Sequence, residues 1–593
     1  MKSNENINLL NNLRRCNRLL IEFKKSYVII VILLAIIQGL LPAATLTLRK
    51  NIINNIQVRT LNISEFLVLV LIYVGIAIVS LVIDYIYGIY NATVSANFNN
   101  YIKLMVLNKA TQLNLKNFED SQTFNIIDRA KTQSGGNILS FYSSFMSIIK
   151  SIIKIITTII IISEFSIYLI PLVMILPVLR YWYYLKFNKL RYDFQIRRTV
   201  DNRILWYIEY LLLTGNAFKE IKLLNISDYL IKNYKFRALD IIRENLNIIK
   251  QTGKINTTIS IADQFLTGGI LTYILFMGFN GRLLIGEVIT YNDGLITVKQ
   301  EIENALLLIS GMAENALNLN FLFDFLNLNS DILEEVENNT ESIKIGKVER
   351  ISLKNVSYSY QGSNLCILKN INLNISSNKT IGLVGKNGAG KSTLIKILMG
   401  FYDDYEGDIF INDINLKLID KESYMNKIRC VFQDYIRFEM SIRENIGFGN
   451  IINLHNDNDI TKCLAGVGLD EKLYSEGGLD TIIGSWFGSK DISIGEWQRI
   501  AISRAIFRNA DIYIFDEPDA SLDGEVEFKM IKTYKKILSG RVGIFISHKV
   551  NHIKFVADEI VVINNNTIEE TGTHEELMRK KGTYYDLYNA QNI

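Results

Sequence analysis

The chain contains 593 residues, of which 49% are hydrophobic and 21% are charged, and its formal net charge at pH 7 is +4. This length exceeds what one hydrophobic core normally serves, so at least two domains are expected. The apolar composition is typical of a membrane protein with a soluble part attached, and the small net charge argues against a nucleic-acid-binding protein. The four cysteines have neither metal-site nor disulfide-framework spacing, which indicates reduced thiols.

Residues 1–25 combine basic side chains with leucines at helical spacing. This pattern predicts an amphipathic segment lying along the cytoplasmic membrane surface. The apolar stretch that follows is longer than the hydrophobic region of a cleaved signal peptide and lacks a clear small-residue cleavage site. We therefore expect it to be retained as the first transmembrane helix.

Six apolar stretches within residues 26–326 are long enough to cross a bilayer as helices, which takes about 20 residues. They are Tyr27–Leu48, Phe66–Tyr87, Leu139–Ile162, Ile167–Leu185, Thr257–Phe279 and Leu284–Leu308. The connections after the second and fourth stretches are long, basic and free of helix breakers over most of their length, which predicts cytoplasmic helix extensions. Because positive charge stays on the cytoplasmic side, the N-terminus and everything after the sixth span are expected in the cytosol.

Charged residues inside the predicted spans are costly and need an explanation. They are Asp84, Lys150, Lys154 and Asp263, and the sixth span adds Asp293, Lys299, Glu301 and Glu303. Two interpretations stay open. The charges could line a hydrophilic cavity for a charged or amphipathic substrate, or they could form structural ion pairs between packed helices.

Residues 327–347 are rich in Asn and Glu and predict a linker into a soluble domain that comprises residues 348–593. Near the start of that domain, the apolar strand Ile381–Val384 leads into a glycine-rich loop and then a helix. The loop consists of Gly385, Lys386, Asn387, Gly388, Ala389, Gly390, Lys391 and Ser392, and Thr393 follows it in the helix. This strand–loop–helix setting identifies a P-loop, whose amides cradle phosphates, whose Lys391 reaches the β- and γ-phosphates and whose Ser392 binds Mg²⁺.

Two further strands end in residues suited to phosphate chemistry. The strand Asp511–Phe515 ends at Asp516 and Glu517, and Val542–Ile546 leads to His548. Carboxyl ends of parallel strands meet at the nucleotide edge of such a sheet. Asp516 is therefore predicted to hold Mg²⁺, Glu517 to polarise the attacking water, and His548 to contact the γ-phosphate. The fold class expected is an all-α polytopic membrane domain followed by an α/β P-loop NTPase domain.

These residues resemble the ATP-binding-cassette superfamily over nearly all of the chain. The resemblance implies adenine stacking on Tyr360, Mg²⁺ sensing by Gln433 in the Q-loop, and the role of switch histidine for His548. It also places Asp523 in the D-loop segment "PDASLD" and Ser493, Gly495 and Glu496 in the signature motif, which binds the ATP of a second cassette.

The first half resembles exporters with domain-crossing helices. The segments "NFEDSQTFNIIDRA" and "LLTGNAFKEIKLL" look like the two coupling-helix regions. The resemblance implies a half-transporter with ATP and Mg²⁺ as cofactors, which needs a second copy of itself or a paralogous partner. The "WF" and "WQ" pairs in "IIGSWFGSKDISIGEWQ" are most similar to bacterial exporters of lantibiotics and other ribosomal peptides.

The signature motif departs from the family pattern at one place. Ile494 stands where the family has Gly, although Ser493 and Gly495 remain. If this place starts a helix, as in the family, its backbone angles tolerate Ile. A homodimer is favoured over a heterodimer in which this motif caps the partner's non-hydrolytic site.

The expected function is ATP-driven export of a peptide from the cytoplasm by alternating access. Two alternatives remain: a drug or lipid exporter of the same architecture, and a non-transporting ATP-dependent sensor or immunity component. The expected location is the bacterial plasma membrane, with the bilayer and the exported substrate as partners and no nucleic acid.

Overall fold

The computed structural model describes most of the chain. The described residues are 9–59, 61–120, 123, 126–127, 130, 135–215, 217–328, 342–360, 365–377, 379–469, 477–487, 491–518 and 524–591. They form two compact units: Met1–Leu113 with Asp120–Asn329, and Asn114–Glu119 with Ser330–Ile593. Most of the predicted linker 327–347, and the first eight residues of the predicted amphipathic segment, lie outside the described residues.

The first unit is helical. Its long helices are Leu9–Val58, Ile63–Thr111, Gly135–Ser163, Leu169–Arg197, Ser227–Phe279 and Ile285–Leu326. Two shorter helices, Thr199–Leu213 and Phe218–Leu223, connect the fourth and fifth long helices. Each long helix contains nearly all of one predicted span, and the second and fifth continue far beyond theirs.

Five of these helices are long and apolar enough to cross a membrane, counted over the described part of the chain; Ile285–Leu326 is not among them. Charged residues inside this helix lower its hydropathy, and four of them have an oppositely charged partner on a different long helix. The pairs are Asp293 with Arg49 at 2.7 Å, Glu301 with Lys154 at 2.6 Å, Glu303 with Arg180 at 2.9 Å, and Lys299 with Asp263. Paired charges lower the cost of placing such a helix among apolar neighbours. The sixth helix is therefore the polar centre of the first unit.

The second unit contains two β-sheets. Its strands are β1 Arg350–Ser359, β2 Cys366–Ser376, β3 Thr380–Val384, β4 Glu406–Ile411, β5 Ile414–Asn415, β6 Ile428–Val431, β7 Ile512–Asp516, β8 Val542–Ile546, β9 Glu559–Asn564 and β10 Thr567–Gly572. An antiparallel sheet has the order β2-β1-β4-β5, and a six-stranded sheet has the order β10-β9-β3-β8-β7-β6. In the larger sheet all neighbours are parallel except β10 and β9.

Helices surround these sheets. They are Leu115–Glu119, Lys391–Leu398, Lys421–Met425, Ile442–Gly447, Asp457–Gly466, Ile494–Ile506, Gly524–Leu538, Val550–Val556, His574–Lys580 and Thr583–Gln591. Every residue of β3, β7 and β8 is buried. Such uniformly apolar strands are typical of a parallel sheet covered on both faces. All four cysteines are free, as their spacing predicted.

The order β3-β8-β7 brings three strand ends to one edge of the larger sheet. The P-loop follows β3, the acidic pair lies at the end of β7, and His548 follows β8. Parallel pairing makes these carboxyl ends coincide, which positions the site. The fold thus confirms the three strands that the sequence predicted here.

Gly382, in the middle of β3, tests the packing beneath the site. A Cβ added there would lie 2.4 Å from Cγ2 of Ile553 and 2.8 Å from Cβ of Ala557. We expect Gly382→Ala to destabilise this unit by about 1–3 kcal/mol, because overpacking forces the covering helix away from the strand. Thermal unfolding of the purified full chain measures the effect.

Gly346→Ala is the matched control, since nothing lies within 4 Å of a Cβ added at Gly346. Equal unfolding temperatures of the two variants would contradict the tight contact between β3 and the Val550–Val556 helix.

Candidate functional site

The loop between β3 and the Lys391–Leu398 helix requires glycine at defined positions. Gly388 and Gly390 have φ of +81° and +99°, a region that side chains with a Cβ rarely adopt. A Cβ on Gly385 would lie 2.3 Å from the carbonyl oxygen of Ile563. The loop therefore keeps its backbone bare, as close approach to a phosphate requires.

Lys391 lies at the centre of this loop. Its Nζ donates to the carbonyl oxygens of Gly385 at 2.8 Å and Lys386 at 3.3 Å. Burial lowers the pKa of Lys391, while the nearby Glu517 and Asp516 act in the opposite direction. The ammonium group is thus held in place by neutral acceptors, an arrangement that fits an incoming anion.

The remaining predicted loop residues differ in exposure. Lys386, Asn387, Gly388 and Ser392 are exposed, whereas Ala389 and Thr393 are buried. The hydroxyls of Thr393 and Tyr360 lie 3.0 Å apart. The Tyr360 ring packs edge-on against Tyr358 and Tyr402, with centroid distances of 5.3 and 5.8 Å. Tyr360 is therefore fixed beside the helix that follows the P-loop.

Glu517 has an unusual backbone conformation directly after β7. Its φ is +51°, and its N–H donates to the carbonyl of Ile546 at 3.0 Å. A non-glycine residue in this region stores strain that the surroundings must overcome. The carboxylate is clamped from both sides: Gln433 Nε2 donates to Oε2 at 2.7 Å, and His548 Nε2 lies 2.6 Å from Oε1. The structure thus brings together all three residues that the sequence predicted as catalytic.

Asp516 is buried next to this clamp. Burial, together with the neighbouring negative charge of Glu517, raises the pKa of Asp516 to about 6. Two acidic groups in a desolvated place repel each other, and a cation relieves that repulsion. Among the described residues, no group of three or more His, Cys, Asp or Glu side chains could hold a metal by itself. The donors Ser392, Gln433 and Asp516 fit Mg²⁺ if nucleotide phosphates supply the missing oxygens.

The signature motif starts the Ile494–Ile506 helix. Ser493 is the N-cap: its Oγ accepts from the Glu496 N–H at 3.2 Å, and its own N–H donates to Glu496 Oε2 at 2.8 Å. This reciprocal capping box explains why Glu suits the last place of the motif. Ile494 is the first helical residue and its side chain is half-exposed, so the backbone accepts isoleucine as expected for a helix start.

The structure does not bring every predicted residue to one place. Within the described parts of the chain, no hydrogen bond or ion pair joins Ser493, Gly495 or Glu496 to the P-loop. Asp523 lies outside the described residues.

Two contacts near the site were not predicted from the sequence. The Tyr435 hydroxyl donates to the carbonyl of Ile494 at 3.0 Å and so links the segment after Gln433 to the signature helix. The position of Tyr435, two residues beyond Gln433, was the only available signal. Its contact across 59 residues follows from the tertiary fold.

The second contact involves Asn114–Glu119, which belongs to the second unit although its neighbours in sequence belong to the first. Lys116 Nζ lies 2.8 Å from Asp403, and Glu119 lies 2.9 Å from Lys396 Nζ. Lys396 is on the helix that follows the P-loop. The start of the predicted first coupling region therefore contacts the phosphate-binding helix.

Comparisons with known proteins agree with this geometry. The sequence profile of the ABC transporter family matches residues 368–520. The chain is 30% identical over 595 residues to the subtilin transport ATP-binding protein SpaT of Bacillus subtilis, covering 100% of this chain and 96% of SpaT. It is also 30% identical over 579 residues to the nisin transport ATP-binding protein NisT of Lactococcus lactis subsp. lactis, covering 97% and 95%.

The fold is similar to that of a bacterial Atm1-family ABC exporter solved with ATP bound. The TM-score is 0.76 at 19% identity, over 97% of this chain and 99% of that one. Because the chain is 30% identical to SpaT over nearly the whole length of both proteins, it belongs to the ABC transporter family. It is an ATP-hydrolysing exporter subunit with a multi-pass membrane domain and an ATP-binding domain.

Proposed function

We propose that two copies of this chain form an ATP-driven exporter of amphipathic peptides in a bacterial plasma membrane. The observation that supports it most strongly is the clamp on Glu517 beside Lys391, in a chain that is similar along its whole length to transporters named for subtilin and nisin. Each copy supplies one membrane domain and one cytoplasmic cassette, and its N-terminus is cytoplasmic.

In this proposal, the P-loop residues and Lys391 bind the triphosphate of ATP, and Tyr360 stacks on the adenine. Ser392, Asp516 and Gln433 hold Mg²⁺, which neutralises charge on the phosphates. Glu517 orients the attacking water and takes up its proton at a carboxylate oxygen, while His548 Nε2 keeps that carboxylate in place. Because Glu517 is already fixed by two hydrogen-bond partners, little reorganisation is needed when water arrives.

The signature residues act on the other copy. Ser493, Gly495 and Glu496 begin a helix, and a helix N-terminus favours an anion. Facing the second copy, they and Asp523 complete its nucleotide site. Because the helix start accommodates Ile494, the signature motif can keep its function. This supports a homodimer with two equivalent active sites over a heterodimer in which one site does not hydrolyse ATP.

Cassette closure reaches the membrane domain through the segment Asn114–Glu119. Lys396 and Asp403 tie this segment to the cassette, and the chain continues from its N-terminal end into the long helix Ile63–Thr111. ATP drives the cycle by binding the closed arrangement more tightly than the open one. The membrane domain then opens to the outside, and hydrolysis resets it.

Glu517→Gln tests the catalytic assignment in the purified full chain, without any partner protein. We expect the native chain alone to hydrolyse ATP, as a homodimer should. The variant should lose about 10²–10⁴-fold in rate, because the amide cannot accept a proton from water, yet keep its ATP affinity. Phosphate release and equilibrium nucleotide binding measure the two effects.

Glu559→Gln is the control, since Glu559 forms an exposed ion pair with Lys379 on the sheet. A Glu517→Gln variant that turns over at the native rate contradicts the role of Glu517. A native chain without ATPase activity contradicts the homodimer. ATP-dependent peptide uptake into inverted sealed vesicles separates peptide export from drug or lipid export and from a sensor that transports nothing.

Asp516→Asn tests the electrostatics of the proposed Mg²⁺ site. The pKa of the Asp516 carboxyl group is raised from 3.8 to about 6, so its protonated form stabilises the nucleotide-free fold relative to the unfolded chain. This contribution is complete below pH 3.8 and is lost as the pH rises through 6. Asparagine carries no such pH-dependent cost. The variant should therefore gain up to about 3 kcal/mol relative to the native chain between about pH 4 and pH 7.5, seen as a rising difference in unfolding temperature.

The same variant should still bind ATP, but Mg²⁺ should no longer increase its affinity for ATP. Asp413→Asn, at an exposed carboxylate paired with Arg350, is the matched control and should show no pH-dependent difference. An Asp516→Asn variant whose unfolding temperature follows the native pH profile would show that Asp516 is not a buried, destabilising charge.

A further inference from the structure

The charged residues named above in the predicted spans fall into two groups. Asp293, Glu301, Glu303 and Asp263 each form a direct ion pair with a basic residue of another helix. Asp84 and Lys150 are held differently, because no described residue of opposite charge lies within ion-pair distance of either. The structural explanation for charges in the spans therefore accounts for the first group and leaves Asp84 without a basic partner in direct contact, whereas Lys150 also interacts with Glu301 at longer range.

Gln38 lies between Asp84 and Lys150 and keeps them apart. Its Nε2 donates to Asp84 Oδ1 at 2.6 Å, and its Oε1 accepts from Lys150 Nζ at 2.9 Å. One amide thus satisfies one oxygen of the carboxylate and one hydrogen of the ammonium group. The second carboxylate oxygen remains an acceptor for a ligand.

The local backbone explains how Gln38 reaches both partners. At the next residue, Gly39, a Cβ would lie 2.8 Å from Ile153 Cγ2 and 3.2 Å from the carbonyl of Lys150, so glycine lets these two helices approach closely. Gln38 lies 20 residues before the end of its helix, and Asp84 lies 21 residues after the start of the next. The two side chains are therefore at the same level of the helical hairpin.

Pro42 adds a second acceptor at the same level. It lies inside the Leu9–Val58 helix and has no N–H to donate to the carbonyl of Gln38, four residues earlier. That carbonyl is freed for another donor.

These groups line a cavity of about 470 Å³ between the first three long helices. Besides the residues already described, its wall contains the apolar side chains Leu41, Ile76 and Leu81, together with Ser80 and Lys154. The charge of Lys154 is balanced by Glu301, which also accepts from Ser151 at 2.6 Å. The wall therefore combines apolar side chains with one carboxylate, Asp84, whose second oxygen can accept a hydrogen bond. This combination suits an amphipathic ligand with an ammonium group.

We infer that this cavity binds the ammonium group of an amphipathic peptide, with Asp84 as its anionic contact and Gln38 and Lys150 as positioning residues. The inference rests on the proposed export function and names the chemical class of its substrate. Lys150 polarises the Gln38 amide, which holds the carboxylate toward the cavity. Its remaining N–H groups can donate to peptide carbonyls.

A cysteine introduced in place of Ser80, one helical turn before Asp84, tests the inference without ATP. The Ser80→Cys variant of the full chain, reconstituted in lipid nanodiscs, is treated with a trimethylammonium or a sulfonate methanethiosulfonate reagent. Each labelling rate is divided by the rate at which the same reagent reacts with a small free thiol in solution. The native chain, which keeps its four cysteines, gives the background labelling rate. We expect a preference of about threefold or more for the cation, because the Asp84 carboxylate lies one turn from the introduced thiol on the same helix and raises the local cation concentration, while Lys150 on another helix opposes it.

Adding Asp84→Asn should abolish that preference, whereas adding Lys150→Gln should not weaken the preference for the cation reagent. Asp228→Asn is the matched control: it neutralises an exposed carboxylate of this unit that does not line the cavity, and it should leave the preference unchanged. No reaction at the introduced thiol, or a preference that survives Asp84→Asn, overturns the inference.

Protection by a peptide completes the test. A synthetic amphipathic peptide of leucine and lysine should slow labelling of the introduced cysteine, and the same peptide with acetylated amines should not. Equal protection by both, or protection by neither, overturns the assignment to a peptide ammonium group. Because labelling requires no hydrolysis, these outcomes are independent of the Glu517→Gln result, so failure of the cavity assignment is distinguishable from failure of the export function.

Discussion

The parallel pairing of β3, β8 and β7 is the constraint on which the nucleotide site depends. It brings the P-loop, the acidic pair and His548 to one edge of the sheet, although more than 150 residues separate Gly385 from His548. Glu517 turns back at this edge in a strained conformation, and Ile546, Gln433 and His548 hold it there. The strain is tolerated because three separate elements fix the same residue, and the result is a carboxylate oriented before substrate arrives.

Charge organises the membrane domain in a comparable way. The sixth long helix contains charged residues that lower its hydropathy, and four of them have partners on the first, third, fourth and fifth long helices. Breaking one such pair leaves an uncompensated charge, which is destabilising. These pairs therefore have a structural role and do not serve as ligand sites. Asp84 and Lys150, separated by Gln38, have capacity left for a ligand.

Short-range patterns predicted much of this molecule. The spans followed from runs of apolar residues, β3 and the P-loop from a strand ending in glycines, and the strand ends from apolar runs that stop at Asp516 and before His548. The capping of the signature helix was not predicted, although Ser493 and Glu496 stand three residues apart, as a capping box requires.

Contacts between distant segments could not be predicted in the same way. Nothing in the sequence near Lys116 indicates Asp403, and nothing near Lys299 indicates Asp263, because such pairs depend on which helix faces are turned together. The left-handed backbone of Glu517 is likewise imposed by its neighbours, since isolated glutamate disfavours it. Whether a charge in a span is structural or available to a ligand was undecidable until the partners were known.

The central claim is that phosphate binding at Lys391 moves the helices that cross the bilayer. The most direct test is the distance between spin labels at Lys250→Cys, an exposed position on the Ser227–Phe279 helix, in the two copies of a homodimer in nanodiscs. The account predicts that ATP with Mg²⁺ shortens this distance in the otherwise native chain and has no effect when Lys391→Ala is added. An unchanged distance in the native chain, or an equal change in the Lys391→Ala variant, would contradict it.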